Sequence, residues 1–377
     1  MAGIYIHIPF CKQACTYCNF HFSTQLQHKQ AFLSALKNEI SSNDTFIDRN
    51  DIIETIYFGG GTPSLLSINE LDEILQTIYT QFKVSVNAEI TLEANPDDIN
   101  SEVVNNWVKI GINRLSVGIQ SFVEEELIWM NRAHTAKHAI ECIDIIQENG
   151  IQNFSVDLIF GGPLLSHEAL EKNIQIISSK NIPHISCYAL TVEEKTALHH
   201  FIATKKSPPT NSEKQAEQFL MTIKLLANLG YEQYEISNYA KPNMRSKHNS
   251  SYWQGKPYWG FGPAAHSFNG INKRRWNISN NLLYINNWLN NTPVFEEETL
   301  TDIQKLNEYI MTSLRTIEGI DLKIVEQKFG GEKAHFLSDQ AKVFLHSNNL
   351  LIHSNSIKIT ESGKLFADGI ASDLFFD

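Results

Sequence analysis

From Ile4 to about Leu229 the chain alternates short runs rich in β-branched and aromatic residues with longer stretches whose apolar positions recur every three to four residues. Residues 4–8, 55–58, 88–92, 114–118, 154–160 and 184–189 read as strands, and 30–41, 68–82, 101–110 and 136–148 as helices. Strand and helix alternate about six times, which predicts a parallel sheet with helical crossovers. Six such units either close part of the way into a barrel or lie open as a doubly wound sheet, and hydrophobic period does not choose between them. After Tyr231 the pattern gives way to an aromatic-, Asn- and Gly-rich segment, expected to wrap or cap the barrel. From Thr301 it resumes as helices over 302–315, 322–329 and 338–347, then β-runs at 351–353 and 356–360, the order of a small winged-helix unit.

Length fits this division, because 377 residues exceed the roughly 250–300 at which one hydrophobic core stops growing. The expected parts are an α/β partial barrel over 1–230, a cap over 231–300 and a winged-helix-like α+β domain over 301–377. With 42% hydrophobic and 19% charged residues, and no apolar run near the roughly 20 residues a membrane span needs, the chain reads as globular with no spanning helix. Met1–Phe10 carries no basic leader and long apolar run, so a cytoplasmic protein is expected. Lys and Arg number 31 against 42 Asp and Glu, a net charge of −11. Nucleic acid is not an expected partner of so acidic a chain, and the helix at 338–347 offers only Lys342 as a fixed positive charge.

Of five cysteines, three fall within eight residues as Cys11-Lys-Gln-Ala-Cys15-Thr-Tyr-Cys18, directly after the first strand. That is no disulfide framework, and in a reducing compartment it points to metal or catalysis. The end of a barrel strand is also where α/β barrels place their active sites, which favours the partial barrel. Three thiolates from one loop suit three irons of a 4Fe-4S cubane, leaving the fourth for an external ligand. The competing reading is structural zinc with His21 as fourth ligand, although zinc sites usually pair their cysteines in two separated couples. Cys142 and Cys187 stand in helical and strand patterns and read as small buried residues.

Further polar residues close or interrupt the apolar strands. Gly59-Gly60-Gly61-Thr62-Pro63 ends the second, Glu93 the third, Gln120 follows the fourth, and Asp157 lies inside the fifth. A carboxylate in a buried strand is costly unless it is paired, so these groups are expected to line one polar pocket with the cysteine loop.

Cys-x3-Cys-x-Tyr-Cys after a strand resembles the signature of radical S-adenosylmethionine (SAM) enzymes. With Arg132 in Met-Asn-Arg-Ala-His-Thr, the set is similar to the branch holding the oxygen-independent coproporphyrinogen III oxidases and the HemW haem chaperones. The resemblance implies a radical SAM partial barrel, (β/α)6 in form, with a 4Fe-4S cluster on Cys11, Cys15 and Cys18 whose open iron is chelated by SAM. It implies SAM contacts at Tyr5, Tyr17, Gly60, Gly61, Thr62, Glu93, Gln120, Arg132, Asp157 and Ala189, with His266 of Gly-Pro-Ala-Ala-His-Ser a further candidate, and a reductant for the cluster.

Two features bear on which member of the branch this is. The oxidases carry another cysteine two residues after the third, where this chain has Phe20, and a longer stretch precedes their motif. In addition, His248-Asn-Ser-Ser-Tyr252-Trp253 is similar to the proposed haem motif of the chaperones. Neutral imidazole is a common axial ligand to haem iron, and Tyr252 and Trp253 offer flat apolar area to a macrocycle. Loops of this composition also simply pack over barrel mouths. The expectation is haem binding and transfer to an acceptor protein; the alternatives are decarboxylation of coproporphyrinogen III, or a winged-helix regulator using the cluster as a sensor.

Overall fold

The computed structural model describes residues 2–42 and 44–377. Six parallel strands follow one another across the sheet in chain order: β1 (Ala2–Ile8), β2 (Ile53–Gly60), β3 (Val84–Ala94), β4 (Arg114–Gln120), β5 (Phe154–Phe160) and β6 (His184–Ala189). Helices cross between neighbours, including Lys29–Ser41, Ile68–Gln81, Ser101–Lys109, Ala136–Glu148 and His167–Ser179. The helix starts are written locally. Ser67 accepts from the backbone of Glu70 while Glu70 reaches back to Ser67, a capping box.

Side-chain alternation gives the sheet two different faces. Ile4, Ile6 and Ile8, Ile56 and Phe58, Leu115 and Val117, Val156 and Leu158 point to the outer face, where helices bury them. Each such side chain contributes about 1.5–3 kcal/mol through burial. The alternate positions face the lumen and are polar: Tyr5 and His7, Thr55 and Tyr57, Glu89, Thr91 and Glu93, Arg114 and Ser116, Asp157, and His184 and Ser186. A lumen of that composition is a site, since the same positions would be apolar in a barrel filled for stability.

The segment expected to wrap the barrel instead extends its sheet at both edges. β8 (Asn238–Ala240) adds antiparallel to β6, and β7 (Glu232–Gln233) adds antiparallel to β8. β9 (Tyr258–Phe261) adds parallel to β1, and β10 (His266–Phe268), β11 (Lys273–Asn277) and β12 (Phe295–Thr299) follow it antiparallel. Among the described residues the sheet has twelve strands, with β12 and β7 at its ends, so the barrel stays open. Glu39 locks this extension to the helix Lys29–Ser41: its buried carboxylate accepts from Gly262 N (2.8 Å), Asn277 Nδ2 (2.6 Å) and Tyr284 Oη (2.5 Å).

The C-terminal unit has its own core, including Leu306, Ile310, Leu314, Val325, Leu337, Ile357 and Ile370. Helices Asp302–Leu314 and Leu322–Phe329 lie close to expectation, and a three-stranded sheet β13 (Ile320–Asp321), β15 (Ser356–Ile359), β14 (Leu350–His353) forms the wing. The single helix expected at 338–347 is two, Gly331–Gln340 and Lys342–His346, with buried Ala341 at the joint. Gly330, at φ +100°, ends the preceding helix and lets the next begin at once. No helix among the described residues is long and apolar enough to cross a membrane.

Candidate functional site

The cysteine loop leaves the C-terminal end of β1 and is clamped from two sides. Cys11 N donates to Ser23 O (3.0 Å), Thr16 N to Met130 O (3.1 Å) and Leu198 N to Thr16 O (2.7 Å). Asn131, in the left-handed region at φ +57°, donates through Nδ2 to Ala14 O (2.8 Å) and accepts from Gln13 Nε2 (2.7 Å). The next residue, Arg132, points Nη1 at Cys15 Sγ (3.3 Å) and gives Nη2 to Asn95 Oδ1 (2.7 Å) and Gly118 O (2.6 Å). The segment Met130–Arg132 therefore sets both the backbone and the electrostatics of the loop. Tyr17 packs with Trp129 beside Met130, Ile159 and Leu190. All three thiols are half-buried, and burial raises Cys11 and pushes Cys18 up to about 11, so holding a metal through them as thiolates would release protons. Among the described residues no three His, Cys, Asp or Glu side chains are gathered closely enough to hold a metal ion.

Beside the loop, the glycine turn and the lumen carboxylates form one wall. Gly61 N donates to Ile8 O (2.8 Å) and Thr62 N to Phe10 O (2.7 Å), stitching the end of β2 to the start of the cysteine loop. Gly60, at φ +108°, gives its N–H to Glu93 Oε2 (3.1 Å). Tyr57 Oη donates to Glu93 Oε1 (2.8 Å). Burial, with the charge of Asp157 adding to it, pushes Glu93 up to about 7. Burial raises Asp157 to about 6 although Ser186 and Ser116 hydroxyls and Arg114 act to lower it. Tyr5 Oη bonds His7 Nδ1 (3.1 Å) on the same face. Gln120 takes φ +68° where the β4–β5 register shifts, a bulge that re-aims the chain at the rim, and Ala189 ends β6 exposed. Tyr57, Ser116 and Ser186 escape a reading of strand ends alone; the signal for them is the alternate position along each strand, which places them in the lumen, while Asn95 directly follows β3.

His266 stands apart, on β10. It is exposed, on the face shared with Trp276, whose ring stacks on it at 5.6 Å, and partial desolvation, with the charge of Arg274, lowers its pKa. His248, Tyr252 and Trp253, expected against haem, lie on the helix Lys247–Trp253 at the opposite end of the barrel from the cysteines. The His248 ring is buried, with Nδ1 on Thr55 Oγ1 (2.8 Å) and Nε2 on Tyr252 Oη (2.9 Å). Both nitrogens are engaged, so His248 is not an open axial ligand in this arrangement. A glycine at position 3 leaves room for it, since a Cβ there would meet His248 Nδ1 at 3.4 Å and Thr55 Oγ1 at 2.8 Å.

The donor set fits a cluster with a polar adenosyl cofactor. Three thiols occupy one loop, and among the described residues buried Arg132 Nε, Thr91 Oγ1 and Arg114 Nη2 have no hydrogen-bond partner, leaving polar capacity in the lumen. The family model described as Radical SAM superfamily matches residues 5–177, and that described as HemN C-terminal domain matches 300–366. The chain is 32% identical over 377 residues to the heme chaperone HemW of Bacillus subtilis, covering 98% of both chains. It is 34% identical to that of Escherichia coli over 70% of this chain and 69% of the other. The solved coproporphyrinogen III oxidase HemN of Escherichia coli superposes with a TM-score of 0.85 at 21% identity, covering 99% of this chain and 90% of that one, which establishes the fold. The protein belongs to the radical SAM superfamily and, within it, to the family of the heme chaperone HemW.

Proposed function

We propose that this protein is a haem chaperone: it holds a 4Fe-4S cluster on Cys11, Cys15 and Cys18, binds SAM beside it, and passes haem to an acceptor protein in the cytoplasm, where thiols stay reduced. The observation that carries the reading is the clamped three-cysteine loop at the rim of a polar lumen, in a chain similar to HemW proteins along almost its whole length. When bound, the cluster and SAM supply one-electron chemistry, with the electron coming from a reductant.

The chain's own groups bind and orient. Glu93 accepts hydrogen bonds from the cofactor's amino or ribose donors, Asp157 accepts from a ribose hydroxyl, and Arg132 balances the anionic charge of the loop and of a carboxylate. Tyr5, Tyr17, Gly60, Gly61, Thr62, Gln120 and Ala189 shape the pocket around them. Haem is met at the rim: of the histidines on strands of the large sheet, His7 and His184 are buried while His266 is exposed beside Trp276. Ligation through His248, Tyr252 and Trp253 calls for their helix to leave the barrel floor. Phe20, 69% exposed, stands where the oxidases carry a cysteine, which weighs against porphyrinogen decarboxylation. The test is haem titration of anaerobically reconstituted protein, wild type beside His266→Ala and His248→Ala. A Soret band in the wild type supports the chaperone reading, its absence refutes it, and the variant that loses the band names the ligand.

A further inference from the structure

The helix Lys247–Trp253 is built into the floor of the SAM pocket. Glu89, midway along β3, accepts from Lys247 N (3.0 Å) and His248 N (3.1 Å), and Ser246 caps the helix by accepting from Asn249 N (3.3 Å). With one hydroxyl on each ring nitrogen, His248 cannot rotate without losing both bonds. Its face lies flat against Tyr57, ring centroids 4.9 Å apart and planes 22° from parallel. Tyr57 in turn stacks on Tyr5 at 6.1 Å and 25° and delivers its hydroxyl to Glu93. The other Glu93 oxygen takes the N–H of Gly60 in the glycine turn. An unbroken line of contacts thus runs from Thr55 and Tyr252, through the imidazole, to the phenol, the carboxylate and the turn.

From this line we infer that His248 is a positioning residue for SAM binding, supporting Tyr57 from below so that the phenol holds Glu93 in place. A Tyr57 left unsupported regains ring freedom, and its hydroxyl then fixes Glu93 for only part of the time. The inference rests on the reading of the lumen as the SAM site and is independent of haem.

Stacking and iron ligation demand different things of residue 248, which makes the two separable. Phenylalanine keeps a flat ring against Tyr57 but cannot ligate iron; alanine does neither. In full-length protein reconstituted without oxygen, SAM affinity is measured by equilibrium dialysis, with iron content and the Soret band of haem-loaded samples read alongside. Expected are a roughly tenfold weaker SAM affinity for His248→Ala, recovery of most of it in His248→Phe, and iron content unchanged in both before haem is added, whatever the Soret band does. Tyr57→Phe, which keeps the ring and the fold but removes the hydroxyl on Glu93, is expected to weaken SAM severalfold even if His248→Ala fails to fold. Unchanged SAM affinity in Tyr57→Phe, or in a folded, iron-loaded His248→Ala, overturns the inference, as does a lost Soret band with SAM affinity intact. Iron-loaded wild type that takes up no SAM sinks the pocket reading itself, a result distinct from failure of the variants.

Discussion

Gly61→Ala probes the join between the glycine turn and the cysteine loop. A Cβ at position 61 would sit 2.6 Å from Phe10 O, 2.9 Å from Ile8 O and 2.9 Å from Phe10 N, all backbone atoms. Reaching the 3.4 Å of ordinary contact moves the Phe10 carbonyl by about 0.8 Å, and neither Ile8, 0% exposed, nor Phe10, 1% exposed, has space to yield. Inserting one methyl group into such packing costs about 1–3 kcal/mol. The displacement is also delivered to the Gly61–Ile8 and Thr62–Phe10 hydrogen bonds, one residue from Cys11, so the cluster should be lost before the fold. Gly369, inside the helix Ala367–Asp373, is the contrasting case: a Cβ added there would have nothing within 4 Å, and Gly369→Ala should stabilise by up to about 1 kcal/mol. Urea unfolding gives the stabilities, and iron content after reconstitution reports the cluster. If Gly61→Ala matches the wild type in both, the close seam between β2 and the loop does not hold the cysteines.

Glu93→Gln should reduce the pH dependence of SAM binding: burial holds the wild-type carboxyl up at about 7, so affinity falls as pH drops below it, and equilibrium dialysis at pH 6 and 8 compares the slopes, with Asp157, raised to about 6, supplying what remains in the variant. Glu39 is raised by burial to about 7 from an ordinary 4.5, so the native state keeps its proton where the unfolded chain has lost it. Its contribution to stability is therefore fully present below pH 4.5 and declines as pH rises to 7, by about 3 kcal/mol, and Glu39→Gln should remove that decline in urea unfolding at pH 5 and 8. Arg132→Met should cut iron loading severalfold while leaving the helices intact by circular dichroism, because it removes the cation facing Cys15 and the tie to Asn95 and Gly118.

The six parallel strands and the cysteine loop are legible in the sequence because each is a local pattern: an apolar run, then a punctuating glycine, carboxylate or cysteine. What the sequence hides is long-range. β9 is four residues, Tyr-Trp-Gly-Phe, and nothing in them announces that they pair with β1 at the far end of the chain. Aromatic rings at 258–261 read equally well as a cap, and only the register, Tyr5 opposite Gly260, decides that Trp259 and Phe261 join the outer core. The surroundings of His248 are hidden for a related reason. Its motif suggests an open ligand, but Gly3 and Thr55, distant in sequence, supply the slot and the partner that bury it. Gly330-Gly331 falls between the helices expected at 322–329 and 338–347, and the structure uses it to join two helices without a loop.

What the three thiols hold decides the chemistry of this protein. Iron, acid-labile sulfide and zinc should be quantified in protein reconstituted without oxygen, wild type beside Cys15→Ala, with the electron paramagnetic resonance signal of the reduced sample recorded before and after adding SAM. About four irons and four sulfides per chain, lost in Cys15→Ala, and a signal that changes when SAM is added are the predicted result. One zinc per chain, with no sulfide and no response to SAM, contradicts it.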